Sequence, residues 1–153
     1  MKKITIQDIQ NLKDSESSFA TLTAYDFTSA RLADQANIPL ILVGDSAAMV
    51  VYGYETTIPI TIDEMMMLVT SVARGAQQAL VVADMPFLSY QVSVESAILN
   101  AGRFIKESGA QAVKLEGGRE YADRISGITN AGIPVVAHLG LTPQSYHQMS
   151  GYK

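Results

Sequence analysis

The residues able to do chemistry sit where short apolar runs end. Residues 112–118 read Ala-Val-Lys-Leu-Glu-Gly-Gly. Alternation puts Lys114 and Glu116 on one face and Val113 and Leu115 on the other, and Gly117-Gly118 ends the run, so a strand is expected. Two charges on one side of a buried strand must be paired, hydrogen-bonded or bound to a metal, because a lone buried charge is costly. An ion pair filling a gap would meet that need. So would a site at the C-terminal end of a strand, where α/β folds hold ligands. Other apolar runs end in Asp26, in Asp45 of Gly-Asp-Ser, in Asp84 before Met-Pro, and in His138. Parallel strands would bring these ends to one face. Three carboxylates meeting there, from Asp45, Asp84 and Glu116, would repel one another unless a cation lay between them. Oxygen ligands in a chain without cysteine suit Mg²⁺ rather than Zn²⁺. Plainer readings exist for each residue. Asp45 and Asp84 could cap turns, His138 could be a satisfied polar residue near the core, Tyr25 a pocket wall, and His147 a surface residue.

Elements that would position these residues follow from periodicity and punctuation. A helix is expected over 5–13, capped by Thr5 with Asp8 three residues on, and a polar linker over 14–18. Strands are expected at 19–24, 40–43, 79–83, 112–116 and 135–137. Helices are expected over 29–36, from Thr61 or Asp63 to about 77, over 93–107 and over 120–130. Residues 47–62 read as a long connection, the Met65-Met66-Met67 run as core packing, and 141–153 as a polar loop. The wholly apolar Leu40-Ile41-Leu42-Val43 suits a parallel strand covered on both sides. Strand and helix alternation gives a parallel sheet. No Gly-x-Gly-x-x-Gly follows the first strand and no glycine-rich lysine loop is present, which argues against nucleotide-binding folds. A closed barrel needs about 250 residues, so the chain reads as one domain, 1–153, forming the front part of a (β/α)8 TIM barrel. Its N-terminal helix and linker take up 1–18 and strands one to five 19–153.

Composition bounds the rest. The chain has 153 residues, 48% apolar and 17% charged, which is globular rather than disordered. A net charge of -4 with no basic run makes nucleic acid an unexpected partner. The absence of cysteine removes disulfides and thiolate metal sites. No apolar run reaches about 18 residues, so no membrane span is expected. The basic start lacks a signal peptide's apolar core, and the expected compartment is the cytoplasm.

On these residues the chain resembles the ketopantoate hydroxymethyltransferase family. The matching stretches are Thr23-Ala24-Tyr25-Asp26, Leu42-Val43-Gly44-Asp45-Ser46, Ala83-Asp84-Met85-Pro86-Phe87, Val113-Lys114-Leu115-Glu116-Gly117-Gly118, the run from Ala137 through His138 to Gln144, and Gly151-Tyr152-Lys153. The resemblance implies transfer of a hydroxymethyl group from 5,10-methylenetetrahydrofolate to 3-methyl-2-oxobutanoate (EC 2.1.2.11), giving ketopantoate for coenzyme A synthesis. It implies Mg²⁺ on Asp45 and Asp84, with Glu116 as third carboxylate of the metal site. Ser46 and Lys114 would hold the substrate carboxylate and His138 would lie beside its oxygens. Lys114 and His138 are thus the expected catalytic residues. The family's glutamate base falls beyond residue 153, so this chain is expected to represent part of a longer one. The implied partners are a 2-oxoacid, folate and further copies, in a decamer of stacked pentamers. Two rivals remain: a Mg²⁺-dependent carbon–carbon lyase of the phosphoenolpyruvate mutase/isocitrate lyase type, expected to lack the His-Leu-Gly-Leu-Thr-Pro-Gln run, and a non-catalytic half-barrel assembly module.

Overall fold

Four helices start where a side-chain oxygen takes up an orphan backbone N–H. A computed structural model describes residues 2–151. Helix α1 (Ile6–Asp14) and helix α4 (Ile62–Gly75) each open on a capping box, Thr5 with Asp8 and Thr61 with Glu64. Helix α2 (Phe27–Gln35) is capped by Asp26, whose carboxylate accepts from the backbone of Thr28 and Ser29. Ser93 caps α5 (Val94–Arg103), which continues through a π-helical turn, Phe104–Ser108, to Gly109 at φ 82°. A short α3 (Ala47–Val50) and α6 (Ala122–Asn130) complete the longer helices; 3₁₀ turns lie at Arg119–Tyr121 and Pro143–Ser145. None of these helices is long and apolar enough to cross a membrane.

Asp26 therefore ends strand one as a helix cap, on the surface, and takes no part in the cluster at the other strand ends. Asp26→Ala is expected to lower stability by about 1 kcal/mol, read by denaturant unfolding, and to leave ligand binding unchanged. A loss of binding would place Asp26 in the site.

Strands β1 (Thr21–Thr23), β2 (Leu40–Val43), β3 (Leu80–Asp84), β4 (Ala112–Glu116) and β5 (Val135–His138) form one parallel sheet in the order β1-β2-β3-β4-β5. This is a partial (β/α)8-type barrel wall: each strand lies beside its predecessor, with α2, α4 and α5 on one face. Ile41, Val43, Val81, Ala83, Val113 and Leu115 belong to the core that includes α2, α4 and α5. Fully burying one such Ile, Val or Leu side chain contributes about 1.5–3 kcal/mol. Phe104, 0% exposed, anchors the π turn in that core. Gly75 lets α4 close on α2, since a Cβ there would sit 2.5 Å from the Phe27 carbonyl oxygen.

The opposite face holds Leu80, Val82 and Ala112, packed with Leu40, Leu42 and with Ile4 and Ile9 of the N-terminal segment. That segment seals the N-terminal ends of the strands. Ile4 N–H donates to the Gln78 carbonyl at 2.7 Å, and Lys3 Nζ donates to the Ala76 carbonyl at 3.0 Å. Buried Asp34 accepts from the Gln78 and Ala79 N–H groups at 2.9 and 2.7 Å. By period two this face continues into Asp84 on β3, Lys114 and Glu116 on β4, and His138 on β5.

Several boundaries differ from the sequence reading. β1 starts at Thr21, and Phe19 is exposed because no helix covers that part of the chain. The connection 47–62 contains α3. Met65 and Met66 are buried, but Met67 is 74% exposed, since three consecutive helix positions cannot share one face. The loop from 141 contains a 3₁₀ turn. Tyr152 and Lys153, expected to match as Gly151-Tyr152-Lys153, lie outside the described residues.

Candidate active site

Asp84 is the centre of the C-terminal end of the sheet. The register places Lys114 beside it on the neighbouring strand, and Lys114 Nζ donates to Oδ1 at 2.8 Å and Oδ2 at 2.9 Å. Both are buried, Asp84 at 2% exposure and Lys114 at 9%. Asp84 Oδ2 also accepts the backbone N–H of Asp45 at 3.2 Å, so the turn after β2 is tied to the end of β3. Burial pushes the Asp84 carboxyl up to about 7; the Lys114 ammonium pulls it down and the neighbouring Asp45 pushes it further up. Burial likewise raises Asp45, against a hydrogen bond from Gln144 and the charge of Lys114.

Glu116 and His138 are register partners on β4 and β5. Glu116 Oε1 lies 3.5 Å from His138 Nδ1, and Oε2 accepts the Gln144 backbone N–H at 2.9 Å. Burial raises Glu116, while burial and the Lys114 charge lower His138. His138 is therefore neutral at pH 7, and its contact with Glu116 is not a pair of full charges. His138 Nδ1 is buried without a hydrogen-bond partner. Ser46, one residue after Asp45, shares a 2.8 Å hydrogen bond with the Tyr25 hydroxyl, which holds it at the mouth of the site. His147 is on the surface.

The strand ends bring together Asp45, Asp84, Lys114, Glu116 and His138, with Ser46 at the edge. They do not form the expected three-carboxylate centre. Among the described residues no group of three His, Cys, Asp or Glu side chains is arranged to hold a metal ion. Asp45 and Asp84 adjoin, and Gln144 stands between Asp45 and Glu116. Two adjoining buried carboxylates with raised pKa values still fit a divalent cation, because Mg²⁺ commonly takes one or two carboxylates and fills its other positions with water or substrate oxygens.

Sequence reasoning assigned no role to Gln144 or Tyr90. Gln144 is 5% exposed; its Nε2 donates to Asp45 Oδ2 at 2.8 Å and to the Met85 carbonyl at 2.9 Å. Its Oε1 accepts from the Tyr90 hydroxyl at 2.8 Å and from Gln91 Nε2 at 3.1 Å. The Tyr90 hydroxyl in turn accepts the Glu116 N–H at 3.1 Å. Only the Pro-Gln pair after the fifth strand offered a signal for Gln144. Gly117, at φ 104°, ends β4 in a conformation that suits glycine, where a Cβ would collide with the Tyr121 ring.

A cavity of about 270 Å³ adjoins the cluster, lined among others by Tyr90, Gln91, Glu116, Glu120, Gln144 and His147. It lies below the ~300–1,000 Å³ usual for a cofactor-sized ligand.

Solved structures share this fold. The chain matches phosphonopyruvate hydrolase with a TM-score of 0.74 and 17% identity, over 99% of this chain and 55% of that one. It matches phosphoenolpyruvate phosphomutase from Streptomyces platensis subsp. rosaceus with a TM-score of 0.68 and 20% identity, over 84% and 51%. It matches 2,3-dimethylmalate lyase, described as a PEP mutase/isocitrate lyase superfamily member, with a TM-score of 0.64 and 19% identity, over 86% and 51%. The mutase/lyase barrels weighed from the sequence as a rival thus share this chain's fold.

The expected folate-dependent hydroxymethyl transfer (EC 2.1.2.11), with 5,10-methylenetetrahydrofolate as co-substrate and folate as partner, is corrected with it. The matching structures are named as mutase, hydrolase and lyase, and among the described residues no metal-binding cluster is evident.

In sequence, residues 3–153 match the family model described as ketopantoate hydroxymethyltransferase. A 3-methyl-2-oxobutanoate hydroxymethyltransferase of Frankia alni is 55% identical over 151 residues, 99% of this chain and 50% of its own length. One of Carboxydothermus hydrogenoformans is 50% identical over 153 residues, 100% of this chain and 55% of its own. The chain spans about half the length of the curated relatives it matches. By the match over nearly all of its residues, it belongs to the ketopantoate hydroxymethyltransferase family.

Proposed function

We propose that this chain supplies the cation- and 2-oxoacid-binding half of a barrel enzyme that makes or breaks a bond at the carbon beside a keto group. The observation that carries the reading is the buried Lys114–Asp84 pair with Asp45 against it, at the C-terminal ends of parallel strands. Charged groups buried together at that end of an α/β sheet are a costly arrangement for stability alone and a usual one for a site. Two names support the ligand class: the curated relatives carry 3-methyl-2-oxobutanoate in theirs, and one phosphonopyruvate hydrolase structure holds oxalate and Mg²⁺. Both molecules present oxygens on adjacent carbons.

Asp45 and Asp84 would hold the cation. When bound, it would supply positive charge near the keto oxygen, where negative charge gathers as the neighbouring carbon reacts. The chain's own groups have separate tasks. Lys114 offers an ammonium matched to the oxoacid carboxylate. Ser46, held by Tyr25, offers a hydroxyl to the same group. Neutral His138 can carry its proton on Nε2 and donate to a substrate oxygen. Glu116 Oε1 faces His138 Nδ1 at 3.5 Å and can orient its ring.

Calorimetry of 3-methyl-2-oxobutanoate and of oxalate, each with and without Mg²⁺, tests this reading. Binding that needs the ion is the expected result. Equal affinity with and without it would remove the cation from the site. The shared fold supports a second reading, in which the reactive carbon is exposed by cleaving a bond of the substrate, as the name 2,3-dimethylmalate lyase says of that protein. Turnover of 2,3-dimethylmalate would select it.

A further inference from the structure

We infer that Gln144 is a positioning residue of the site, setting Asp45 and Glu116 at a fixed separation; this rests on the proposed cation and oxoacid reading. Gln144 comes from the loop after β5, yet every polar atom it places in the interior is used. Nε2 spends both hydrogens, one on Asp45 Oδ2 and one on the Met85 carbonyl that follows Asp84. Its backbone N–H holds Glu116 Oε2. One residue thus touches the ends of β2, β3 and β4 together.

The amide is itself oriented. The Tyr90 hydroxyl lies 2.8 Å from Gln144 Oε1 and 3.1 Å from the Glu116 carbonyl, and Gln91 Nε2 donates to the same Oε1, so the carbonyl end faces these donors and the amino end faces Asp45. Tyr90 is 1% exposed, and its hydroxyl is fixed from the other side by the Glu116 N–H. The chain of contacts Glu116–Tyr90–Gln144–Asp45 closes back on Glu116 through the Gln144 backbone. Thr57 and Asp84 also interact with the Asp45 carboxyl, and Gln144 is the donor that reaches it from the loop after β5. Held by Nε2 through Oδ2, Asp45 keeps Oδ1 in one direction. Groups that orient ligating carboxylates in this way usually matter ~10–100-fold for metal affinity. Glutamine suits the place because it donates to one carboxylate without adding a third charge beside Asp45 and Asp84.

The experiment uses the whole chain with Mn²⁺ as the probe, read by electron paramagnetic resonance without oxoacid. Binding of 3-methyl-2-oxobutanoate at saturating Mn²⁺ and a thermal melt are read in parallel. Gln144→Met keeps the length and removes both polar ends. Tyr90→Phe keeps Gln144 and removes the hydroxyl that orients it. Mn²⁺ affinity is expected to fall ~10-fold or more in Gln144→Met and by a smaller factor in Tyr90→Phe, in protein still folded at the measurement temperature. Unchanged Mn²⁺ affinity in both variants, with a lowered melting temperature, would make Gln144 structural and overturn the inference. If Gln144→Met does not fold, Tyr90→Phe decides by the same criterion. A wild-type chain that binds neither Mn²⁺ nor the oxoacid would overturn the reading of the site itself, and the inference with it.

Discussion

Lys114→Met is expected to destabilise the chain by about 3–5 kcal/mol at pH 8, the usual cost of removing one partner of a buried ion pair. Lys114 gives two hydrogen bonds to Asp84, and Asp84 has no other cation within reach among the described residues. Methionine fills a similar volume, so the loss reads the charge rather than a cavity. The effect should depend on pH, with a sign fixed by the Asp84 carboxyl. Its folded pKa of about 7 lies above the ordinary carboxylate value. The folded chain therefore keeps a proton that the unfolded chain has released. The stability that proton confers is complete below about pH 4 and is lost as pH rises through about 7. Without Lys114 the carboxyl rises further, and the variant can escape its unpaired charge by protonation at low pH. The gap between wild type and variant should thus be small at pH 5 and widest at pH 8, measured by denaturant unfolding across that range. A gap independent of pH would mean that Asp84 is not the group left unpaired.

Asp45→Asn should separate stability from binding. Asp45 is buried beside Asp84 and accepts from Gln144 Nε2 on Oδ2. Asparagine removes the buried charge and keeps an acceptor for that donor. The variant should melt higher than wild type at pH 8, by about 0.5–2 kcal/mol, in the manner of sites where function costs stability. Its Mg²⁺-dependent affinity for 3-methyl-2-oxobutanoate should fall by at least ~10-fold, because one of two carboxylates for the ion is gone. Asp84→Asn should lose the same binding and also lose stability, since Lys114 is left buried without its partner. Calorimetry and thermal melts on the two variants check both halves. A destabilised Asp45→Asn that still binds as wild type would show Asp45 to be structural.

What could be read ahead from the sequence was local. The alternation in 112–116 fixes which side of β4 carries Lys114 and Glu116, because period two needs only adjacent residues. The Thr5–Asp8 box spans four residues and was legible for the same reason. Asp26 looked like the other strand-end acids, although the Thr28 and Ser29 N–H groups were within reach of a cap; an Asp before a helix fits both readings. Gln144 was not legible, since its contact with Asp45 joins residues 99 apart in sequence. Nor was the separation of Glu116 from Asp45 and Asp84, because convergence at a strand end says nothing about what is inserted between the side chains. The π turn at Phe104–Ser108 has no compositional mark.

The order β1-β2-β3-β4-β5 means that spatial neighbours are also successive in the chain. A ribosome releasing the N-terminus first, at about 5–20 residues per second, would present each strand when its docking edge already exists. No described strand has to wait for a later one to be inserted beside it, as the middle strands of a doubly wound sheet must. Assembly can therefore be vectorial. Lys114 is made when Asp84 is already in place, so the costly carboxylate meets its counter-charge at the first strand able to bring it. Gln144 arrives after all three and holds strand ends that were laid down in sequence.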